Sequence, residues 1–367
     1  MLVQLEPRAN ASGWMRVLSP VAALVLTVVT GLVIFAALGK DPWQGFRVFF
    51  VAPLTSLFGV TELLLKATPL AICAIGLAIG FRANIWNIGA EGQFIVGAIA
   101  ATGVALFLPT VPGLTLVLML LAGAAGGIAW AAIPAWLRTR FHTSEILVSL
   151  MLVYVAELLV SWLVFGPWKD PMGFNFPQTK MFEAAALLPT FWEGYRLNLS
   201  LGLAIVLLLA GYVMLTRTRL GFQMRVAGES ASAARYAGIS ANAMIWVGLG
   251  VGGATAGLAG MAEVAGPMGQ LTDKVGSGYG FAAIIVAFVG RLHPLGIGLA
   301  ALLMALFYIG GEQAQQYMGL PGSISKTFQG LLLFYLLAAD VLIHYRLRWT
   351  DGASSSTGAS KLAGVSR

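Results

Sequence analysis

Residues 81–93 read Phe81-Arg82-Ala83-Asn84-Ile85-Trp86-Asn87-Ile88-Gly89-Ala90-Glu91-Gly92-Gln93, a polar stretch lodged between two apolar runs. Backbone of this kind is tolerated at membrane depth only where it is buried in protein or lines a water-filled path. The rest of the chain is membrane-like: of 367 residues 58% are hydrophobic and 10% charged, where soluble chains carry about 25% charged residues, and the mean hydropathy is +0.84. Those values exclude a soluble enzyme, a disordered scaffold and a secreted disulfide framework. The single Cys73 rules out an intrachain disulfide.

Working outward, apolar windows approaching the roughly 20 residues a span needs fall near 17-38, 61-80, 92-108, 114-136, 145-165, 199-215, 242-265, 281-290, 294-310 and 323-343. The expected fold class is all-α, a polytopic membrane protein of about ten transmembrane helices, two of them short. The first run follows Arg8 and Arg16, is too long for a signal-peptide core, and reads as a retained helix. With the N-terminus inside, Arg82, Arg138, Arg140, Arg217, Arg219, Arg225, Arg235, Arg291, Arg346 and Arg348 fall on the cytoplasmic side with Arg8, Arg16, Lys361 and Arg367, against Lys40, Lys169, Lys180 and Lys274 outside. That asymmetry predicts both termini cytoplasmic. It also makes the net charge of +7 a topology signal, with no nucleic-acid partner expected.

One permease-like domain is expected over 1-350: a first half at 61-165, a cytoplasmic segment at 216-241 and a second half at 242-345. The Ser-, Gly- and Ala-rich tail 351-367 reads as disordered. The largest external loop, 166-198, carries Pro167, Pro171, Pro177 and Pro189 with Trp168 and Trp192 and reads as a folded, interface-hugging excursion. Gly76-x3-Gly80, Gly123-x3-Gly127, Gly248-x3-Gly252 and Gly253-x3-Gly257 place small residues on helix faces where backbones can approach.

In the second half, Gly266-Pro267 through Gly276-Ser277-Gly278-Tyr279-Gly280-Phe281 interrupts an apolar run as 81–93 does in the first. Broken segments at corresponding positions of two halves point to a translocation site between inverted repeats. A second account stays open: Gly89 and Gly92 permit a bend, while Asn87 and Glu91 cap freed amides at the next helix start. Between the sixth and seventh spans, Ser230 is placed to cap a two-turn helix whose Ala233, Ala234 and Ala237 share a face and which Gly238 ends. Lipid-binding helices bury bulky apolar residues, so this small-residue helix suits a groove on a protein partner better than a membrane surface.

Three ordered motifs carry a resemblance. Thr61-Glu62-Leu63, Ala67-Thr68-Pro69-Leu70, Phe81-Arg82 and Asn87-Ile88-Gly89-Ala90-Glu91-Gly92-Gln93 form the first; Arg225-Val226-Ala227-Gly228-Glu229 with Ala233-Ala234-Arg235-Tyr236-Ala237-Gly238-Ile239 the second; Thr272-Asp273, Gly278-Tyr279-Gly280-Phe281, Gly290-Arg291, His293-Pro294-Leu295-Gly296 and Gly310-Gly311-Glu312 the third. Together, over about 61 to 346, they resemble the inner-membrane permease family of bacterial ABC importers for nucleosides and simple sugars, of the branched-chain-amino-acid/ribose type, served by binding lipoproteins. The Asn-Ile-Gly-Ala-Glu-Gly-Gln form looks like the longer partner of a permease pair. The chain departs at Asn84, where Gly is more usual, and at Trp86, where Phe is more usual.

The resemblance implies a cell inner-membrane permease subunit, not itself an enzyme, with no cofactor of its own. ATP and Mg would sit on a separate ABC ATPase subunit, and no G-x-x-x-x-G-K-[ST] loop occurs here. A second homologous permease, an extracytoplasmic binding lipoprotein and membrane lipid complete the implied partners. The ATPase would be met by Arg225, Gly228, Glu229, Ala233, Ala234, Arg235, Tyr236 and Gly238. For the substrate path the candidates are Asn87, Glu91 and Gln93 with Tyr279 and Phe281, since a nucleoside needs amide-type hydrogen bonds and an aromatic face, together with the departing Asn84 and Trp86. His142, His293 and His344 lie apart, so no metal site is expected. Glu157 reads as the one acid well inside a span, fit for packing or for an ion relay; the relay is the hook for the alternative class, an ion-coupled secondary transporter of a small polar solute.

Overall fold

The computed structural model describes residues 2–7 and 13–350, with side chains over 18–230 and 232–341. The orientation readings on Arg8, Arg16, Arg346, Arg348, Lys361 and Arg367, and the disordered tail at 351–367, lie outside the residues or side chains described. Two compact units emerge, residues 1–45 with 326–367, and residues 46–325. Among the described residues nine helices are long and apolar enough to cross a membrane, and one shorter apolar helix accompanies them. They match the ten apolar windows one for one. The chain is an all-α, multi-pass membrane protein.

The smaller unit holds α1 (Gly13–Ala37), α2 (Pro42–Phe46, its last residue in the other unit) and nearly all of α13 (Ile324–His344). Thr30 Oγ1 and Tyr335 Oη lie 2.7 Å apart, and the Phe35 and Phe328 rings meet at 5.7 Å. Its ends form an antiparallel ribbon of β1 (Leu2–Pro7) and β2 (Tyr345–Thr350), with Leu2 opposite Thr350. The ribbon is unforeseen, because its strands lie at the two extremes of the chain.

The larger unit contains α3 (Leu57–Arg82), α4 (Ala90–Phe107), α5 (Leu114–Phe141), α6 (Glu145–Phe165), α7 (Ser200–Arg217), α8 (Arg219–Glu229), α9 (Ala231–Tyr236), α10 (Ala241–Glu263), α11 (Tyr279–Val289) and α12 (Pro294–Met318). Of the two apolar windows expected to be short only α11 is so; α12 has 25 residues and continues well past 310, because the Gly310-Gly311-Glu312 turn packs its glycines on Phe49 and Ser325 and stays helical. Apolar all round, α3 is buried along nearly its whole length. By contrast α5, α6 and α7 leave Leu121, Leu158, Trp162, Val206 and Leu209 exposed, as a lipid-facing shell requires.

The centre of this unit is α10, and its glycines explain why three helices can reach it. A Cβ on Gly253 would overlap the Gly127 backbone of α5, and one on Gly257 the Gly123 carbonyl. On a second face, Gly260 lies against the Phe94 carbonyl of α4. On a third, Gly248 faces Gly80 of α3, a Cβ there falling 3.3 Å from the Gly80 Cα. Lipid tails are as apolar as Leu, so helix association in a bilayer rests on this kind of close packing.

At one end of the unit residues 166–199 form a folded excursion. Thr179, Phe182 and Leu188 donate their amides to the carbonyls of Leu271, Gly269 and Ala265 at 2.9, 2.8 and 2.8 Å. These bonds occupy backbone groups released where Pro267 and a wide turn over Val264–Met268 end α10. The opposite end carries α8 and α9.

Replacing Gly253 by Val is expected to cost at least the 1–3 kcal/mol or so of core overpacking, seen as a lower unfolding midpoint in detergent. Gly250→Ala on the same helix, where nothing lies within 4 Å of the added carbon, should leave the midpoint unchanged or raise it.

Candidate functional site

The helix α3 stops at Arg82, and Asn84 takes a left-handed φ of +56°. Asn is the side chain that tolerates this conformation best after Gly, which accounts for its standing where the resembling family favours Gly. Ile85 donates to the Gly80 carbonyl at 3.1 Å. From there residues 85–89 run back along α10 as a strap. Ile85 packs at Gly248, and Asn87 fills the space a Cβ would take at Gly252, its Nδ2 2.9 Å from that position. From Gly248 to Gly252 the strap follows α10 for about 6 Å, and Gly252 is about 16 Å from the start of that helix at 1.5 Å per residue, so α4 starts well inside the depth of a span.

Three predicted site residues are drawn together there. Asn87 and Gln93, 2% and 1% exposed, exchange amide hydrogen bonds: Asn87 Nδ2 donates to Gln93 Oε1 at 2.8 Å and Gln93 Nε2 to Asn87 Oδ1 at 3.1 Å. The Gly89 amide adds a bond to Asn87 Oδ1 at 3.1 Å. Glu91 reaches the other broken segment. Its Oε1 accepts from the Gly278 amide at 2.7 Å and its Oε2 from the Gly280 amide at 2.5 Å. One buried carboxylate thus caps the start of α11 while lying in the first turn of α4, where both helix dipoles favour negative charge. Gly278 has φ +85°, and a Cβ on Gly280 would collide with the Glu91 amide, so the contact needs glycine at both places. Tyr279 is 1% exposed, with Phe94 at 5.8 Å and Tyr308 at 5.6 Å, whereas Phe281 projects outward.

Asn84 and Trp86 lie apart from this junction, toward the α9 end. The Trp86 indole stacks on Phe288 at 5.8 Å, contacts Phe81 at 5.2 Å, and donates Nε1–H to Asn84 Oδ1 at 2.9 Å. The two departures from the family pattern are therefore one matched pair. The strap is also pinned by Glu145, which accepts from the Trp86 amide at 3.3 Å and pairs with Arg138.

The cytoplasmic segment folds as α8 and α9. Ser230 Oγ accepts from the Ala233 amide at 3.3 Å, and Gly238, at φ +72°, ends the short helix. Ala234 does not share an outward face with Ala233 and Ala237: it is 3% exposed and packs into a cluster with Met224, Leu215, Ile239 and Met244. It turns inward because the Ile239 amide folds back onto its carbonyl at 2.9 Å. The projecting surface belongs to Ala233, Arg235, Tyr236 and Ala237, with Tyr236 97% exposed. Arg225 is exposed and donates to the Leu215 carbonyl at 3.2 Å; Glu229 is exposed. Gly228 presses on the Arg82 carbonyl so closely that a Cβ would overlap it, and Arg82 Nη2 donates to the Leu292 carbonyl at 2.9 Å. The segment carrying α9 therefore bears directly on the root of the strap.

Glu157 is exposed on α6 and is not the one acid inside a span. Glu62, Glu91, Glu263 and Glu312 also lie in these helices, because α3 begins before 61 and α12 runs past 310. Three of them gather at the end carrying 166–199. Glu62 accepts two bonds from Arg196, one from Nε at 3.0 Å. Lys66 Nζ lies 3.5 Å from Glu312 and 5.7 Å from the centre of the Tyr279 ring. The hydrogen bond to Glu62 holds the Arg196 guanidinium more firmly protonated, against burial that works the other way. The spacing of Glu62 and Lys66, four apart on one helix face, is the sequence signal that could have found this cluster.

Membrane-length helices with two broken segments meeting at a buried carboxylate, and a short helix projecting at one end, make up the membrane subunit of a transporter. The chain belongs to the family described as branched-chain amino acid transport system / permease component, whose profile matches residues 59–337. It is 36% identical to the glucose ABC transporter permease protein TsgB13 of Haloferax volcanii, over 97% of this chain and 98% of that one. To the nucleoside ABC transporter permease protein NupB of Lactococcus lactis it is 30% identical, covering 94% and 97%. To the guanosine ABC transporter permease protein NupP of Bacillus subtilis it is 27% identical, covering 94% and 98%. The chain is an ABC transporter permease subunit.

Glu91→Leu should destabilise the junction by about 1–3 kcal/mol for each amide left unpaired. The check is the unfolding midpoint together with protease cleavage within 269–278. Glu91→Gln keeps an acceptor oxygen and should lose less.

Proposed function

We propose that this permease carries a nucleoside or simple sugar inward from an extracytoplasmic binding lipoprotein, driven by ATP hydrolysed with Mg on a separate ATPase chain. A second homologous permease completes the membrane part. The pairing is supported by the relatives, since the Lactococcus and Bacillus organisms each hold a second nucleoside or guanosine permease protein similar to this chain. The chain lies in the cell membrane with both termini cytoplasmic, the arrangement supported by the excess of Arg at the end carrying α8 and α9.

The single observation that carries the mechanism is the projecting helix α9. Its exposed Tyr236 and Arg235 stand on a base fixed by buried Ala234. A push on α9 passes through α8 to Gly228 and the Arg82 carbonyl, then along the strap to the amide pair of Asn87 and Gln93 and to Glu91. Because Glu91 ties α4 to the start of α11, movement of the strap moves both broken helices together. In this reading Asn87, Gln93 and Glu91 are the hinge of the gate, while Tyr279, beside the charged end, and Phe281, on the outer face of α11, stand nearer to passing solute.

Arg235→Glu with Tyr236→Ala should lower uptake of guanosine or glucose by the assembled transporter at least tenfold and weaken co-purification of the ATPase. Protein amount and unfolding midpoint should stay unchanged, since both side chains are exposed. Undiminished uptake and ATPase capture would overturn the coupling role.

A further inference from the structure

We infer that the charged end of the larger unit is a binding site for a neutral, polyhydroxylated ring, the chemistry shared by a free sugar and the ribose of a nucleoside. The inference rests on the transport reading above and specifies where such a solute is held. Two cavities of about 270 and 240 Å³ lie side by side and share Arg196 as a wall. Glu62, Glu312 and Gln313 line the first, and Lys66, Glu263 and Lys274 line the second.

Three properties define the ligand. In the first cavity Glu62 and Glu312 outnumber Arg196, which disfavours an anion there, and over the cleft that both cavities would form together the formal charges of Glu62, Glu263 and Glu312 cancel those of Lys66, Arg196 and Lys274. Carboxylates accept from hydroxyls, while guanidinium and ammonium groups donate to them. A ring bearing several hydroxyls meets both kinds of wall at once. Finally, Gln313 Oε1 is buried without a hydrogen-bond partner. An acceptor left in that state is costly, and a turn of the Gln313 side chain into the first cavity, which it lines, would present it to a ligand hydroxyl. Arg196 belongs to the segment 166–199, and its bond to Glu62 bridges that segment to α3 between the two cavities. Shifting Arg196 would join them into one longer cleft.

The test uses the fact that Cys73, the chain's single cysteine, is buried. In the full-length chain within the assembled transporter in vesicles, Gln316→Cys places one accessible thiol on the cavity wall. Its modification by a charged thiol reagent is timed with D-glucose or guanosine, and with glucose 6-phosphate or guanosine 5′-monophosphate. Protection by at least one neutral solute and by neither phosphate is expected, and which neutral solute protects separates the free sugar from the nucleoside. Adding Gln313→Leu should raise the half-protecting concentration about tenfold, and adding Glu312→Gln several-fold, with the unprotected labelling rate unchanged as evidence of an intact fold. Absence of protection, equal protection by the phosphates, or indifference to both substitutions would overturn the site. Protection without uptake in the same vesicles would leave the site standing and overturn the transport reading for that solute.

Discussion

Backbone-to-backbone contact along α10 is the constraint from which the rest follows. Gly253 and Gly257 touch the glycines of α5, Gly260 touches α4, and Gly248 faces Gly80 of α3. In hydrocarbon no solvent drives helices together, so dispersion between atoms at contact distance has to hold the bundle. One methyl group on Gly253 or Gly257 would push α5 outward, and one on Gly260 would push α4. The same column supplies the only kind of surface on which an irregular strap can lie flat: Gly252 leaves the volume that Asn87 occupies.

Once the strap is in place, its polar groups have to be satisfied internally, since no water is at hand within the bilayer. The amide pair of Asn87 and Gln93 and the two backbone bonds to Glu91 do this. The bonds to Glu91 also join two breaks that lie almost 190 residues apart in the chain. Capping and a part in transport, which the sequence leaves as alternatives, are thereby compatible. A cap that bridges two broken helices is a joint, and a joint is where a membrane protein can bend without exposing backbone.

The two ends of the larger unit differ in character. One presents a small, protruding helix on an apolar base, joined to the strap through Gly228 and Arg82. The other holds acids and bases that neutralise one another around polar cavities and is partly covered by the 166–199 segment. A partner that presses on the first and a hydroxyl-rich solute that enters the second would act on the same pair of broken helices, because Tyr279 begins α11 and also lies beside Lys66.

Hydropathy alone determined the number and order of the ten apolar helices, because a bilayer demands apolar length whatever the packing, and small residues at helical spacing marked the faces that would touch. The motif residues Asn87, Glu91, Gln93 and Tyr279 were legible as a group because polar side chains between apolar runs are costly without a purpose. What each touches was not. The inward turn of Ala234, the reach of Glu91 to the Gly278 and Gly280 amides and the meeting of Arg196 with Glu62 across 134 residues depend on distances between segments that no local pattern encodes. The charged cluster escaped for a related reason: apart from Glu62 and Lys66 on one face of α3, its members sit singly in an apolar helix or a loop, and only folding brings opposite charges near enough to tolerate one another in a medium that would reject them alone.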